Sequence, residues 1–374
     1  MTAGASPATV AGAADQVESF WRGVVQRGAA WLDDALLPAC AFAVSLGFFG
    51  AFVAFAGHSP LAVFEEMYRG AFGTWFSFQN TLLRAAPLML TGLCCALPAR
   101  LGLMVIGGEG AVVVGGTAAA VVPLSMTGSS PMTVTVAMML AGMLAGAIWI
   151  GTAGALRALR GVNETISSLL LSYIAIALMN HLVEGPLKDP ASLNKPSTEH
   201  IGEANMLTNI PSFDVHWGLV YGIVACFVCY VLMDVSTFGF GARIVGGNPR
   251  AARLSGLGVS KLVIVTCAIG GAFAGLAGMV EVAAVHGKAN ASLIAGYGYT
   301  GILVAFLARH NPLAVIPVAL LLGGISASGG LLQRTFGLPD ATVNVMQGIL
   351  FVVLLASETY RGRIKLFGRF AEGS

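Results

Sequence analysis

Long apolar runs recur along almost the whole chain, and they constrain its fold more than any other feature. A helix that crosses a membrane needs about 20 mostly apolar residues to span a hydrocarbon core of about 30 Å. Charged residues make up only 10% of the chain, whereas soluble domains carry roughly 25%. We therefore predict an all-α polytopic membrane protein with about ten transmembrane helices, some of them broken or half-spans. The ten apolar runs lie near 38–57, 80–98, 101–123, 132–156, 164–184, 216–234, 262–285, 297–308, 313–330 and 341–357.

Basic residues are unequally distributed between the loops on the two sides of these runs. Cytoplasmic loops of membrane proteins carry an excess of lysine and arginine. If the N-terminus is cytoplasmic and the runs alternate, 14 of the 20 basic residues fall on the cytoplasmic side and 6 on the outer side. This asymmetry predicts an even number of crossings with both termini in the cytoplasm. The six on the outer side are Arg69, Arg84, Lys188, Lys195, Lys288 and Arg334.

The segments outside the apolar runs have separate predicted roles. We expect 1–16 to be a disordered cytoplasmic tail, 36–358 to be the transmembrane domain and 359–374 to be a second cytoplasmic tail. Residues 17–35 place apolar side chains at helical spacing among arginines, which indicates an amphipathic helix at the membrane surface or simply the start of the first span. Pro60 at a helix start indicates a short outer helix within 59–72.

Two loops stand out by their length and composition. The outer loop 185–215 is polar and contains prolines, so it is either a docking surface for an outer partner or a plain connector. The inner loop 236–261 is basic and rich in glycine. Within it, Asn248 is suited to cap a short helix from Pro249 to Leu254. Such a helix could receive force from a soluble motor protein, although a merely solvated basic loop has the same composition.

Motifs for independent chemistry are missing from the sequence. No G-x-x-x-x-G-K-[ST] segment is present to bind ATP phosphates, and the histidines, cysteines and carboxylates do not show metal-ligand spacing. No nucleophile with a nearby base is recognisable, so an intramembrane enzyme is disfavoured. We expect no catalytic residue, no metal and no cofactor in this chain. If the protein uses energy, it is supplied by another chain or by an ion gradient.

Ionisable and polar groups inside the apolar runs are the candidate site residues. A charge at mid-membrane costs at least about 2.5–3.5 kcal/mol and usually faces the bundle interior or a wet cavity. Glu109 stands among glycines in "GLMVIGGEGAVVVGG" (102–116), and Glu281 is followed by His286. Glu109 could instead bind free backbone N–H groups of a broken helix, and Glu281 could lie at the headgroup level. Asn180 shares this ambiguity, whereas Asn163 and Glu164 are interpreted as a helix cap.

Four blocks of the sequence resemble the permeases of ABC importers in the branched-chain amino acid, simple sugar and nucleoside superfamily. "GLMVIGGEGAVVVGG" is similar to a family block "GLFNIGxEGQ", and "GVNETISSLLLSYIA" (161–175) is similar to "NExISTxMLNYIA". Residues 245–287 and 296–317 are similar to two further family blocks. The resemblance covers roughly 80–358 and is closest to the larger permease of bacterial nucleoside uptake systems of the purine or guanosine type.

The resemblance implies a type II-importer-like permease in the bacterial inner membrane. It implies a second permease subunit that forms a heterodimer with this chain, a cytoplasmic ATPase that binds ATP and magnesium, and an outer substrate-binding protein. It assigns ATPase coupling to the helix in the 236–261 loop and the residues that flank it. The coupling residues are Asn248, Pro249, Ala251, Ala252, Arg253 and Gly256. Nucleic acid is not expected as a partner.

Departures from the family blocks bear on the ligand. Val105 stands where the family usually has Asn, Ala111 where it has Gln, and Ser172 where Asn is common. If those positions line the path, the ligand could differ from the usual nucleosides. A simple-sugar permease is therefore the alternative within the class. An ion-coupled secondary transporter is the alternative outside it, since broken helices and midplane charges suit it equally well.

Overall fold

The computed structural model describes residues 39–192, 194–211 and 213–358. The predicted tail 1–16, the predicted surface helix 17–35 and the predicted tail 359–374 lie outside these ranges. Within them the chain is helical and contains no β-strand, only two isolated bridges. The helices are α1 (Ala39–Phe55), α2 (Pro60–Tyr68), α3 (Trp75–Ala99), α4 (Gly108–Ser125), α5 (Pro131–Arg160), α6 (Glu164–Glu184), α7 (Gly218–Tyr230), α8 (Thr237–Gly247), α9 (Pro249–Leu254), α10 (Val259–Glu281), α11 (Tyr297–Leu307), α12 (Val315–Phe336) and α13 (Ala341–Glu358).

Three π-helical turns extend these helices. They are Arg69–Gly73 after α2, Val231–Val235 after α7 and Val282–His286 after α10. Single π-turns are rare and are often found at functional sites. Here the last of them lies directly after Glu281, one of the predicted site residues.

The chain divides into two compact units. One comprises 1–60 and 345–374, and its described part contains α1 and most of α13. The other comprises 61–344 and contains α3 to α12 together with all the predicted site residues. The site and its connections therefore belong to a single unit.

Seven of the described helices are long and apolar enough to cross a membrane, and an eighth results if 39–55 and 60–73 are counted together. The apolar helices of 291–307 and 341–357 are shorter than this criterion requires. The structure therefore confirms an all-helical, multi-span protein. Eight of the ten predicted apolar runs contain either one of these seven helices or the helix 39–55, which would form the eighth span together with 60–73.

Helix α10 lies at the centre of the larger unit, where it packs against α3, α4 and α5. Glycines on α4, α5 and α10 permit the backbones of these helices to touch, as is typical of helices in lipid. A Cβ atom on Gly275 would overlap the carbonyl oxygen of Gly142, and one on Gly115 would overlap the backbone of Gly275. A Cβ on Gly278 would likewise overlap the carbonyl oxygen of Val112. These contacts fix α4, which carries Glu109, against α10, which carries Glu281.

The long connection between α6 and α7 is bound to the segment that follows α10. The Thr198 N–H donates to Ala289 O at 3.0 Å, and the Ile201 N–H donates to Gly287 O at 2.9 Å. Further along, the Leu207 N–H donates to Ala283 O at 2.8 Å. This connection, predicted as the outer loop, is therefore anchored to the stretch of chain that leads into α11.

The predictions of short helices in the segments 59–72 and 236–261 have different outcomes. The short helix within 59–72 is confirmed as α2, with Pro60 as its first residue. The helix from Pro249 to Leu254 is confirmed as α9. Helix α8, however, was not predicted, because four glycines in its 11 residues give it a low intrinsic helix propensity.

Replacing Gly275 by alanine tests the close contact at the bundle centre. We expect Gly275→Ala to lower the free energy of unfolding by about 1–3 kcal/mol, since the added methyl group overpacks two backbones. Thermal unfolding of the purified protein in detergent measures this. Gly330→Ala in α12 is the matched control, because its Cβ would meet nothing within 4 Å. Equal midpoints for the two variants would contradict the packing described here.

Candidate functional site

The chain between α3 and α4 is not helical, and this break positions Glu109. Residues 103–106 have no regular secondary structure, yet Leu103 and Val105 are buried. Buried N–H and C=O groups without helical partners must find others, because an unpaired backbone group inside a membrane costs several kcal/mol. The break is therefore stable only if neighbouring side chains bind its backbone.

Helix α6 supplies these partners from one face. Glu164 Oε1 accepts from Met104 N at 3.4 Å, and Thr165 Oγ1 donates to Met104 O at 2.8 Å. Ser168 Oγ accepts from Ile106 N at 3.1 Å. Ser172 Oγ accepts from the N–H of Gly110, in the first turn of α4, at 3.3 Å.

The spacing of these residues explains the polar pattern of the 161–175 block. Residues 164, 168 and 172 recur at intervals of four, so they lie on one face of the helix. These three polar side chains of an apolar helix thus bind the backbone of the break or of the first turn of α4. The departure at Ser172 lies in this supporting contact.

Glu109 joins the start of α4 to the start of α11. Its Oε1 accepts from Gly296 N at 2.8 Å, and its Oε2 accepts from Gly298 N at 2.7 Å. Both donors belong to the free N–H groups at the beginning of a helix, where a negative charge is favoured. We call this pair of hydrogen bonds the Glu109 contact. It links residues that are almost 190 positions apart in the sequence.

Glycine is required on the α11 side of the Glu109 contact. Gly296 has a φ of +81°, which other residues rarely adopt. A Cβ atom on Gly298 would overlap the backbone nitrogen of Glu109. The "GYG" sequence at 296–298 therefore permits the close approach of two helix starts.

A second carboxylate and a cation lie near the Glu109 contact. Glu281, at the end of α10, is only 4% exposed, and its Oε2 is 3.6 Å from Nε2 of His286. Arg84 of α3 interacts electrostatically with Glu281 and with Tyr297, and Glu109 also interacts with both of them. We call Arg84, Glu109, Glu281, His286 and Tyr297 the polar cluster.

Sequence reasoning missed two members of this cluster. Arg84 was counted among the outer basic residues, but it lies inside α3, a membrane-spanning helix. The available signal was its position within an apolar run, because an intramembrane arginine is itself a functional hypothesis. Tyr297 carried no comparable signal, since its place depends on the fold.

The remaining predicted path residues lie elsewhere. Val105 and Ala111 are 1% and 0% exposed, so both side chains are buried in protein in this conformation. Asn180 is partly exposed near the end of α6, and in the described part of the chain it makes no hydrogen bond to the polar cluster. A cavity of about 350 Å³ between α4 and α6 is apolar apart from Thr117 and includes none of the predicted residues.

The predicted coupling residues form one compact, exposed element. Asn248 Oδ1 accepts from Arg250 N at 3.0 Å and from Ala251 N at 3.1 Å, which makes it the N-cap of α9. Ala252 is fully buried, whereas Arg253 is exposed and Leu254 is 91% exposed. Gly256 follows with a φ of +79° and ends the helix turn.

Asn163 and Glu164 have separate structural contacts. Asn163 Oδ1 accepts from Thr165 N at 2.9 Å and from Ile166 N at 3.1 Å, so it caps α6. Glu164 Oε2 pairs with Arg157 Nε at 3.2 Å, while its other oxygen binds the break. Glu164 thus connects the end of α5 to the segment before α4.

A family model described as the permease component of branched-chain amino acid transport systems matches residues 77–355. The chain belongs to this permease family. Its relatives include a glucose ABC transporter permease of Haloferax volcanii, 32% identical over 81% of this chain and 82% of the relative. Two guanosine ABC transporter permeases of Bacillus subtilis are 29% and 26% identical, covering 90% and 74% of this chain and 98% and 89% of the relatives.

Membership of this family assigns the permease to a transport system as a membrane component rather than an enzyme. The matched range contains both helix starts of the Glu109 contact and the whole of α9.

Replacing Glu109 by glutamine tests the Glu109 contact. An amide offers one acceptor oxygen, so the N–H of Gly296 or Gly298 loses its partner. Because a buried donor without a partner costs about 1–3 kcal/mol, we expect Glu109→Gln to lower the free energy of unfolding by that amount. Thermal unfolding in detergent measures the change. Glu184→Gln, at an exposed carboxylate, is the control, and equal stability of the two variants would show that the contact is not needed.

Proposed function

We propose that this permease is the membrane subunit of an ATP-driven importer and forms half of the translocation path for nucleosides. The observation that carries the proposal is the likeness to a guanosine permease, which extends over 98% of that relative. The polar cluster supports a path at the Glu109 contact, because broken helices and helix starts are where transporters bind their substrates.

The charges of the polar cluster favour an uncharged ligand. The cation Arg84 and the carboxylate Glu281 interact with each other, and Glu109 is bound to backbone N–H groups. A ligand at the polar cluster would meet hydrogen-bond donors and acceptors rather than an uncompensated charge. A nucleoside, with its hydroxyl groups and a base that stacks on aromatic rings, fits this chemistry. A simple sugar is the second candidate, favoured by the likeness to a glucose permease.

The proposed topology has ten membrane segments with both termini in the cytoplasm of a bacterial inner membrane. The shorter helices α1, α11 and α13 would be the incomplete or broken spans among them. The distribution of basic residues supports this orientation, which puts α9 on the cytoplasmic side.

The proposed partners follow from the exposed elements. A second permease subunit would complete the path, and the match to two permeases from one organism supports a heterodimer. A cytoplasmic ATPase would hold ATP and magnesium and would dock on α9, while an outer binding protein would dock on 185–215. The permease itself would then need no cofactor. An ion-coupled transporter is disfavoured because it has no use for an exposed, capped helix such as α9.

Reconstitution tests the transport proposal. The tagged permease, purified from its native membrane with its partners and placed in proteoliposomes with the binding protein, should take up radiolabelled guanosine only with ATP. Uptake of glucose but not guanosine would favour the sugar alternative. Uptake by the permease alone, driven by a pH gradient, would contradict the ATP-driven mechanism.

Replacing Leu254 by serine tests the docking of the ATPase on α9. The exposed apolar side chain of Leu254 stands at the end of α9, where it would be covered by the ATPase. We expect Leu254→Ser to reduce co-purification of the ATPase at least about tenfold, because the loss of a buried leucine in an interface costs roughly 1.5–3 kcal/mol. Leu159→Ser, at another exposed leucine, is the control and should retain the ATPase. Equal retention by both variants would remove α9 as the docking element.

A further inference from the structure

Arg100, directly after α3, contacts two other loops at the end of the bundle that carries α9. Its Nη1 lies 2.6 Å from Oδ1 of Asp234, in the π-turn that precedes α8. Its Nε donates to the carbonyl oxygen of His310, just after α11, at 3.0 Å. The Arg100 and Asp234 side chains are only 16% and 25% exposed, so solvent screens their ion pair less than it screens a surface pair.

The end of α8 lies directly on the backbone of Arg100. A Cβ atom on Gly246 would overlap the carbonyl oxygen of Arg100 and would lie 3.3 Å from the Cα of Leu101. Only Gly247 and the cap residue Asn248 separate this contact from α9. A movement of α9 therefore reaches residues 100 and 101 through two residues of chain and one backbone contact.

Two routes lead from Arg100 to the Glu109 contact. The first is the chain itself, which runs from Leu101 through the break to Glu109 at the start of α4. The second passes through His310 to α11, an 11-residue helix about 16 Å long, whose first turn contains Gly298. Arg100 is thus connected to both sides of the Glu109 contact.

The loop after α11 holds its carbonyl groups in an unusual backbone conformation. Arg309 and His310 have φ values of 53° and 58°, which non-glycine residues adopt only when their surroundings enforce it. In this conformation the His310 carbonyl accepts the hydrogen bond from Arg100. The conformation of this loop therefore allows Arg100 to hold the end of α11.

We propose that Arg100, Asp234 and Gly246 form the junction through which a movement of α9 changes the Glu109 contact. The inference rests on the proposed function, since it concerns how ATP hydrolysis in a partner is coupled to the path. Arg100 is a positioning residue in this account and does not touch the ligand. Because it binds the segments that lead to α4 and to α11, its displacement separates or rejoins the two helix starts.

Two adjacent glycines provide the test. In Gly246→Ala the new methyl group pushes α8 away from Arg100, whereas a Cβ on Gly247 meets nothing within 4 Å. The purified complex in proteoliposomes is assayed for ATP hydrolysis and for uptake of radiolabelled guanosine or glucose, whichever the wild type transports. We expect Gly246→Ala to retain basal hydrolysis within about twofold and to lose at least tenfold in molecules taken up per ATP. Gly247→Ala should match the wild type.

A second variant keeps the inference testable if Gly246→Ala does not assemble. Asp234→Asn removes the charge on the partner of Arg100 with little change in shape, and we expect it to lower uptake per ATP at least threefold. A wild-type ratio in an assembled Gly246→Ala complex, or in Asp234→Asn, would overturn the inference. Loss of assembly in both variants would also overturn it, because the junction would then be merely structural. Absence of ATP-driven uptake in the wild type would instead contradict the proposed function.

Discussion

The carboxylate of Glu109 is the group on which the organisation of the larger unit depends. A charged side chain inside a membrane protein is stable only when it is paired or hydrogen-bonded. Glu109 meets this requirement with two backbone N–H groups at the start of α11. The same two bonds satisfy two of the free N–H donors at the start of α11. Each bond to a charged acceptor contributes roughly 1.5–3 kcal/mol.

This arrangement needs support from helices on two sides. The hydroxyl and carboxylate groups of α6 bind the non-helical backbone before Glu109, and glycine contacts hold α4 against α10. On the α11 side, the connection between α6 and α7 is bound to 283–290, the chain that leads into Gly296. The opposite end of α11 is bound to Arg100. The Glu109 contact therefore lies between the connection that joins α6 to α7 and the contacts of Arg100.

The sequence predicted the features that depend on local pattern. Apolar runs indicated the spans, and Asn248 followed by Pro249 indicated α9, because caps and helix starts are encoded within a few residues. The isolated Glu109 was recognised as unusual, and Ser172 was recognised as a departure from its family block. Their partners could not be identified, since Gly298 is 189 positions from Glu109 and periodicity carries no information about such contacts.

The misses have equally specific causes. Helix α8 was not predicted because its glycines, of which Gly239 and Gly246 touch neighbouring backbone, lower its helix propensity. Arg84 was assigned to the outer side because it stands near the start of its apolar run. Val105 and Ala111 are buried in this conformation, and their place beside the path stays a prediction.

Hydrogen–deuterium exchange of the permease in lipid nanodiscs tests the central claim most directly. If the carboxylate of Glu109 holds the start of α11, the amides of 296–299 exchange slowly in the wild type and at least tenfold faster in Glu109→Gln. Peptides from the centre of α5, around Gly142 and Gly146, should exchange alike in both proteins. Equal protection of 296–299 in both would contradict the account, because α11 would then begin where it does without Glu109.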